Sequence, residues 1–374
     1  MNDKDLAGMI LEPMFRSLED PAEAQLNLLF RLKDLYRRTE YGKERSVKDV
    51  YSVEDFRRLF PKVEYSGLKR YIEEVKRGRY GALLPEPPVC WVMTRGSTGR
   101  AKVLPVTRMH LEDILICGAR ALVNYALRNG DMRVLEGKIL NLNFPSRVSF
   151  LDYMGNQVPY GYSSGTYARL LPELGRVRLV PLQDEVDALG SGIEVADWER
   201  RFELVYKRAF DEDVTAVMGV APVILSFAVF VKKRFGKLPR DVWRVRALFC
   251  TSVRKIHYRY APVLRRYFGQ VPVVEIYSAT EGVFGQQMDS YPYILPNYDR
   301  YLFEVETGRG VKMLYELRRG EWGRLIISSC MLPRYDIGDM VEAMGKNYFR
   351  VFGRATGLHI LEHRLYRLFF GWLL

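Results

Sequence analysis

Apolar positions between residues 3 and 40, Leu26, Leu29, Phe30, Leu32 and Leu35 among them, recur at helical spacing and predict a helix closed by Tyr41-Gly42. Ser52 followed by Asp55, Phe56 and Leu59 has the pattern of a capping box, and Pro61 stops the helix it starts. A further helix runs from Ser66 and Leu68 to Gly78. The period then changes. Short apolar runs at 89–93, 103–104, 138–142, 214–220, 247–250 and 273–277 read as strands, and helical patterns at 108–129, 196–210, 221–234 and 255–268 separate them. Residues 152–166 read as turn-rich. From 299 onward the pattern is strand-rich, with runs at 301–305, 323–329 and 340–343. The order predicts an α/β protein: mainly parallel sheets flanked by helices, followed by a β-rich subdomain.

One stretch has the length of a membrane span. Val214 to Val231 carries no charge over 18 residues. Pro222 suits a first helical turn, and Lys233-Arg234 before Gly236 suits a helix C-terminus, so the stretch parses into a buried strand and the helix after it. No membrane span is expected, and the apolar run Leu368–Leu374 is too short to make one.

Composition narrows the classes. Hydrophobic residues at 48% and charged residues at 27% exclude a disordered chain, and 57 Lys+Arg against 45 Asp+Glu leave a net charge of +12. No basic run or nucleic-acid motif accompanies that charge, so no nucleic-acid partner is expected. Cys90, Cys117, Cys250 and Cys330 show no CxxC spacing and read as buried thiols of a reducing compartment. The N-terminus MNDKDLAGMI has no signal-peptide pattern, which predicts a cytoplasmic protein. Only 6 Gln and 9 Asn beside abundant Arg, Lys and Glu fit a high-temperature source.

Three segments carry candidate chemistry. Thr94-Arg95-Gly96-Ser97-Thr98-Gly99-Arg100-Ala101-Lys102 follows a buried strand; its small residues let backbone N–H groups turn toward an anion that Lys102 neutralises, although such loops also serve as ordinary hairpin turns. Tyr277-Ser278-Ala279-Thr280-Glu281-Gly282 lies past a Val- and Ile-rich strand, where an open α/β sheet binds ligands. Its ring can stack on a base, Thr280 can donate to a phosphate, and Glu281 can hold Mg²⁺. Pro333-Arg334-Tyr335-Asp336-Ile337-Gly338-Asp339, with Phe352-Gly353-Arg354, offers an acid for vicinal hydroxyls and a cation beside it.

In that order the three segments resemble the adenylate-forming superfamily, whose members activate carboxylic acids with ATP. Thr39-Glu40-Tyr41-Gly42, Tyr51 to Phe56, Pro61, Tyr65, Leu68, Tyr71-Ile72 and Gly78, with Leu295 to Glu304, narrow the resemblance to the Gretchen Hagen three family of auxin-responsive acyl-acid amido synthetases. The likeness spans roughly residues 25 to 354. It implies ATP and Mg²⁺ as cofactors, ATP or AMP and a small carboxylic acid as ligands, and an amino acid or other acceptor. Carried over, it places Ser97, Thr98, Gly99 and Lys102 at the triphosphate, with Thr94 and Gly96 as further cofactor-binding positions of the same segment. Tyr277 falls at adenine, Thr280 at the α-phosphate, Glu281 at the metal, and Asp339 with Arg354 at the ribose; Ser278 and Ala279 are further cofactor-binding positions, and Lys102, Thr280 and Glu281 are the catalytic set. Tyr160-Gly161-Tyr162-Ser163-Ser164-Gly165 and Val220 are candidates for an acyl pocket.

The resemblance further implies a large ATP-binding adenylation domain over 1–350, with helices over 1–80, an α/β region over 81–298 and a β-rich region over 299–350. Residues 351–374 are expected to be a hinge and a short stub in place of the family's C-terminal lid domain. A nucleotide-binding remnant without full turnover, or an acyl-CoA ligase-like enzyme, are the alternative readings. Asp336 stands where the family has an arginine, with Arg334 two residues earlier as a substitute, and Gly357 stands where the hinge has an acid. His359-Ile360-Leu361-Glu362-His363 matches an inverted zinc-protease pattern but lacks a following acid ligand, so no metal is expected there.

Overall fold

The computed structural model describes residues 8–94, 101–171, 178–251 and 253–370. The chain divides into two compact units, Met1–Leu11 with Pro88–Pro292 and Glu12–Pro87 with Tyr293–Leu374.

The first unit holds β1 (Pro88–Met93), β2 (Val103–Thr107), β3 (Lys138–Asn141), β4 (Ser149–Tyr153) and β5 (Asn156–Tyr162). It continues with β6 (Arg178–Val180), β7 (Val214–Val220), β8 (Ala247–Thr251), β9 (Val273–Ala279) and β10 (Gly282–Gln286). One sheet has the order β2–β1–β5–β4; β1 and β5 run parallel and the outer pairs are antiparallel hairpins. The other has the order β10–β9–β8–β7–β3–β6, parallel throughout except for the β9–β10 hairpin. β7 and β8 read as near-continuous apolar runs because helices cover a parallel sheet on both faces. The uncharged stretch at 214–231 is indeed β7 followed by the helix Ala221–Phe235, with proline in its first turn and Gly236 at φ 69° as its left-handed cap. Ile224, Phe227, Ala228 and Val231 of that helix are fully buried with Phe202, Trp243 and Leu264.

The second unit contains β11 (Leu295–Pro296) and an antiparallel sheet of order β13–β12–β14–β15–β16. The strands of that sheet are β12 (Leu302–Thr307), β13 (Gly310–Met313), β14 (Trp322–Ser328), β15 (Tyr335–Gly345) and β16 (Tyr348–Arg354). The N-terminal helices pack in this same unit. Gln25, fully buried, donates to the carbonyls of Tyr298 and Tyr301 at 2.8 Å each and accepts from the Phe303 N–H at 2.8 Å. Tyr36 donates to the Ser329 carbonyl at 2.6 Å, and its ring packs against Phe56 and Phe60.

Two expectations need correction. The long helix over 3–40 is broken into Glu12–Glu19, Pro21–Tyr36 and Glu40–Glu44. Pro21 has no N–H to donate, and the Asp20 side chain caps the second helix by accepting from the Glu23 N–H. The turn-rich segment 152–166 is the β4–β5 hairpin leading into the helix Ser163–Leu170. Its turn, Met154-Gly155, has φ of 56° and 77°, the signature of a tight hairpin that matches strand twist. Among the described residues no helix is long and apolar enough to cross a membrane.

Candidate active site

β1 and β2 pair antiparallel, and the small-residue segment 94–102 lies between them in the chain. Its base is closed twice: the Thr94 N–H donates to the Lys102 carbonyl at 2.9 Å, and the Lys102 N–H donates to the Thr94 hydroxyl at 3.2 Å. Lys102 is thereby held where the chain re-enters the sheet. Arg95, Gly96, Ser97, Thr98, Gly99 and Arg100 lie outside the described residues.

β9 carries the second candidate segment. Ala279 pairs with Gly282 across the β9–β10 hairpin, so Thr280 and Glu281 are its two-residue tip, past the end of a parallel strand. Tyr277 is buried, with its ring 5.4 Å from that of Phe284, while Ser278 and Ala279 are half-buried. The Thr280 hydroxyl lies 3.4 Å from that of Ser163, and Tyr167 points its hydroxyl at the Thr280 carbonyl over the same distance. Burial, and then the nearby Cys90 and Glu281, hold the Tyr167 hydroxyl well above its usual pKa, so it stays a donor. Burial also pushes the Cys90 thiol up to about 12, which makes it inert. Glu281 is 8% exposed. A single carboxylate is the donor set Mg²⁺ uses when phosphates and waters fill the rest of its shell, so Glu281 fits that ion. Among the described residues there is no cluster of three or more His, Cys, Asp or Glu able to hold a metal.

Tyr162 immediately precedes Ser163, and with Met93 and Phe144 it forms a small apolar cluster against which Val103, Val148, Tyr160, Trp198, Val220 and Val223 pack. Phe144 stands 5.1 Å from Tyr162 and 4.9 Å, edge-on, from Trp198. The structure thus brings Tyr160, Tyr162 and Val220 together and adds Met93, Phe144, Val148, Trp198 and Val223, which no local pattern distinguishes from ordinary core. Gly161 and Gly165 have a packing role: a Cβ would lie 2.3 Å from the Ser146 backbone and 1.9 Å from the Phe144 carbonyl oxygen. That close approach is why the sequence needs glycine at both places. Asp187 fixes the same loop, accepting from the Ser146 N–H at 2.8 Å and from its hydroxyl at 2.5 Å.

In the second unit Asp339 and Arg354 face each other in register on β15 and β16, Arg354 Nη1 lying 2.9 Å from Asp339 Oδ1. Gly338, at φ +79°, lets the guanidinium lie over the backbone; a Cβ there would meet Nη2 at 3.0 Å. The Asp339 side chain is nearly buried and that of Arg354 half-exposed. Arg334 does not stand in for the missing arginine. It has φ +46° and turns inward, donating to Glu304 at 2.8 and 3.2 Å and to the Phe60 carbonyl at 2.7 Å. Asp336 is likewise committed, to Arg324 at 2.6 Å and Lys62 at 3.6 Å, and it accepts from the Gly338 N–H at 2.9 Å.

The zinc-protease pattern falls on the helix Gly357–Phe370. His359 Nδ1 accepts from the Arg354 N–H at 2.9 Å, and His363 is buried with its ring stacked 3.8 Å from Phe352. Both rings are spent on β16.

Residues 11–172 match the GH3 family N-terminal domain. No curated protein matches the sequence. Among solved structures, the chain is similar to the GH3.15 acyl acid amido synthetase in complex with 2,4-DB, with a TM-score of 0.74, 15% identity, and coverage of 94% of this chain and 70% of that one. It is also similar to 2-hydroxyisobutyryl-CoA ligase with 2-HIB-AMP and CoA, with a TM-score of 0.63 and 17% identity over 91% of this chain and 69% of that one. At such identities the likeness establishes the fold, which these enzymes share with this chain.

Proposed function

For a chain whose residues 11–172 match a GH3 family N-terminal domain, we propose ATP-dependent activation of a carboxylic acid as its acyl-adenylate, followed by transfer to an amino acid or another acceptor. One observation carries this reading. The Thr280-Glu281 tip, with the Thr280 hydroxyl 3.4 Å from Ser163, joins phosphate-side chemistry to the apolar cluster of Tyr162, Phe144 and Val220. The fold shared with an amido synthetase and a ligase bound to an acyl-adenylate supports it.

In the reaction a carboxylate oxygen attacks the α-phosphorus of ATP, a P–O bond forms, and the bond to pyrophosphate breaks. No protein nucleophile is needed; positioning and stabilisation of spread negative charge suffice. Thr94, Gly96, Ser97, Thr98, Gly99 and Lys102 bind the triphosphate, and the Thr280 hydroxyl donates to the α-phosphate. Tyr277, with Ser278 and Ala279, flanks adenine, and Asp339 with Arg354 binds the ribose. Tyr160, Tyr162 and Val220 wall the acyl group. Glu281 holds Mg²⁺, which supplies charge neutralisation on the phosphates when bound. Four buried free cysteines support residence in a reducing cytoplasm, and the low amide content supports a high-temperature source.

ATP–pyrophosphate exchange over a panel of aromatic and aliphatic carboxylates tests the reading. Exchange that depends on one class of acid supports it. Nucleotide binding without exchange for any acid replaces it with a binding remnant. Thioester rather than amide formation identifies the acyl-CoA ligase alternative.

A further inference from the structure

We propose that His359 is a positioning residue for the nucleotide, acting through the backbone of Arg354; the inference rests on the ribose assignment of Asp339 and Arg354.

Arg354 is the last residue of β16. Its N–H donates its hydrogen bond to the segment that follows the strand, so the orientation of that peptide depends on the segment. Here His359 supplies the acceptor: its Nδ1 takes the Arg354 N–H at 2.9 Å. The imidazole reaches that position only because residue 353 is glycine. A Cβ at Gly353 would lie 2.8 Å from Cγ and 2.9 Å from Nδ1 of His359. The next residue is held as well, since the Ala355 N–H donates to the Gly338 carbonyl at 2.8 Å.

The backbone on both sides of the Asp339–Arg354 pair is therefore fixed, by His359 on one strand and by the Gly338 turn on the other. His363, one helical turn on, anchors the same helix. Its ring lies 3.8 Å from Phe352 at 13° and 5.4 Å from Trp322 edge-on. The pair of histidines that imitates a metal motif is thus a two-point clamp on β16. Accepting through Nδ1 also sets the tautomer, with the proton on Nε2.

AMP and 2′,3′-dideoxy-AMP binding, measured by calorimetry on the 374-residue chain, tests this with three variants. Asn at 359 puts its amide oxygen near the place of Nδ1, whereas Gln puts its oxygen near Nε2. His359→Gln is expected to weaken AMP binding roughly three- to tenfold, the scale of one neutral hydrogen bond, and His359→Asn to restore it to within about twofold. The dideoxy nucleotide, with no hydroxyls for the pair, is expected to bind wild type and both His359 variants alike. If Arg354→Ala weakens AMP and His359→Gln does not, the ribose assignment stands and the role of His359 falls. Equal losses for both nucleotides in His359→Gln, or no recovery in His359→Asn with an unchanged melting temperature, also overturn it. If neither Arg354→Ala nor His359→Gln alters AMP binding, the ribose assignment itself fails.

Discussion

Arg334 and Glu304 form a two-point ion pair inside the second unit, at 2.8 and 3.2 Å, with side chains 6% and 1% exposed. Arg57 adds a second cation to the same carboxylate at 2.8 Å, so β12, the segment entering β15 and the helix Val53–Leu59 meet on one buried charge. Removing Arg334 leaves the buried carboxylate with Arg57 as its remaining cation and strips away its two-point partner. Arg334→Ala is expected to lower unfolding free energy by about 3–5 kcal/mol, read by urea denaturation. The double replacement Arg334→Met with Glu304→Met is expected to cost markedly less, because no buried carboxylate is then left short of a partner and the partly exposed Arg57 keeps Glu54 at 3.8 Å. A loss below about 1 kcal/mol for Arg334→Ala would mean that water reaches the pair.

Glu281→Gln keeps the size of the side chain and removes its charge. If the carboxylate holds Mg²⁺ at the ATP phosphates, pyrophosphate exchange should fall on the order of a hundredfold or more, with an unchanged circular dichroism spectrum. Exchange at the wild-type rate under saturating Mg²⁺ would remove Glu281 from the metal role.

Asp339→Ala should weaken ATP and AMP binding by roughly 1.5–3 kcal/mol, the range for hydrogen bonds to a charged group. Calorimetry with a 2′,3′-dideoxy nucleotide should show a much smaller loss. The same loss for both nucleotides would put Asp339 to other use.

His110 gives the acid limb of stability. Burial lowers its imidazole from an ordinary value of 6.5 to about 3, so the folded protein keeps it neutral. As pH falls through 6.5 toward 3 the unfolded chain takes up a proton that the folded chain refuses, and stability is lost across that window. His110→Gln should flatten this limb by about one proton in the pH dependence of denaturation. An unaltered slope would show that other groups govern it.

Local patterns determined much of this protein. Apolar runs at 214–220 and 247–250, Pro222, Gly236 and the Ser52–Asp55 cap each act within a few residues, and the corresponding strands, helices and cap stand in the structure. The strand that ends at Tyr277 to Gly282 was legible for the same reason, whereas the β9–β10 pairing that makes Thr280 and Glu281 a two-residue tip was not read from the sequence. Other features depend on chain segments far apart in sequence. Grouping the N-terminal helices with the β-rich strands rests on long-range contacts such as Gln25 with Tyr298, Tyr301 and Phe303. The apolar cluster draws Met93, Phe144 and Trp198 from three separate segments, and an aromatic residue bears no local mark of which neighbour it will meet. Arg334 sits beside a nucleotide-like motif in sequence, yet its left-handed backbone and the buried Glu304 turn it inward. His359 and His363 have metal-ligand spacing, and only their docking on Gly353, Arg354 and Phe352 assigns them elsewhere. Periodicity and turn chemistry are properties of neighbouring residues and can be read from the sequence, whereas the choice of a buried partner is a competition among all segments that only the folded packing resolves.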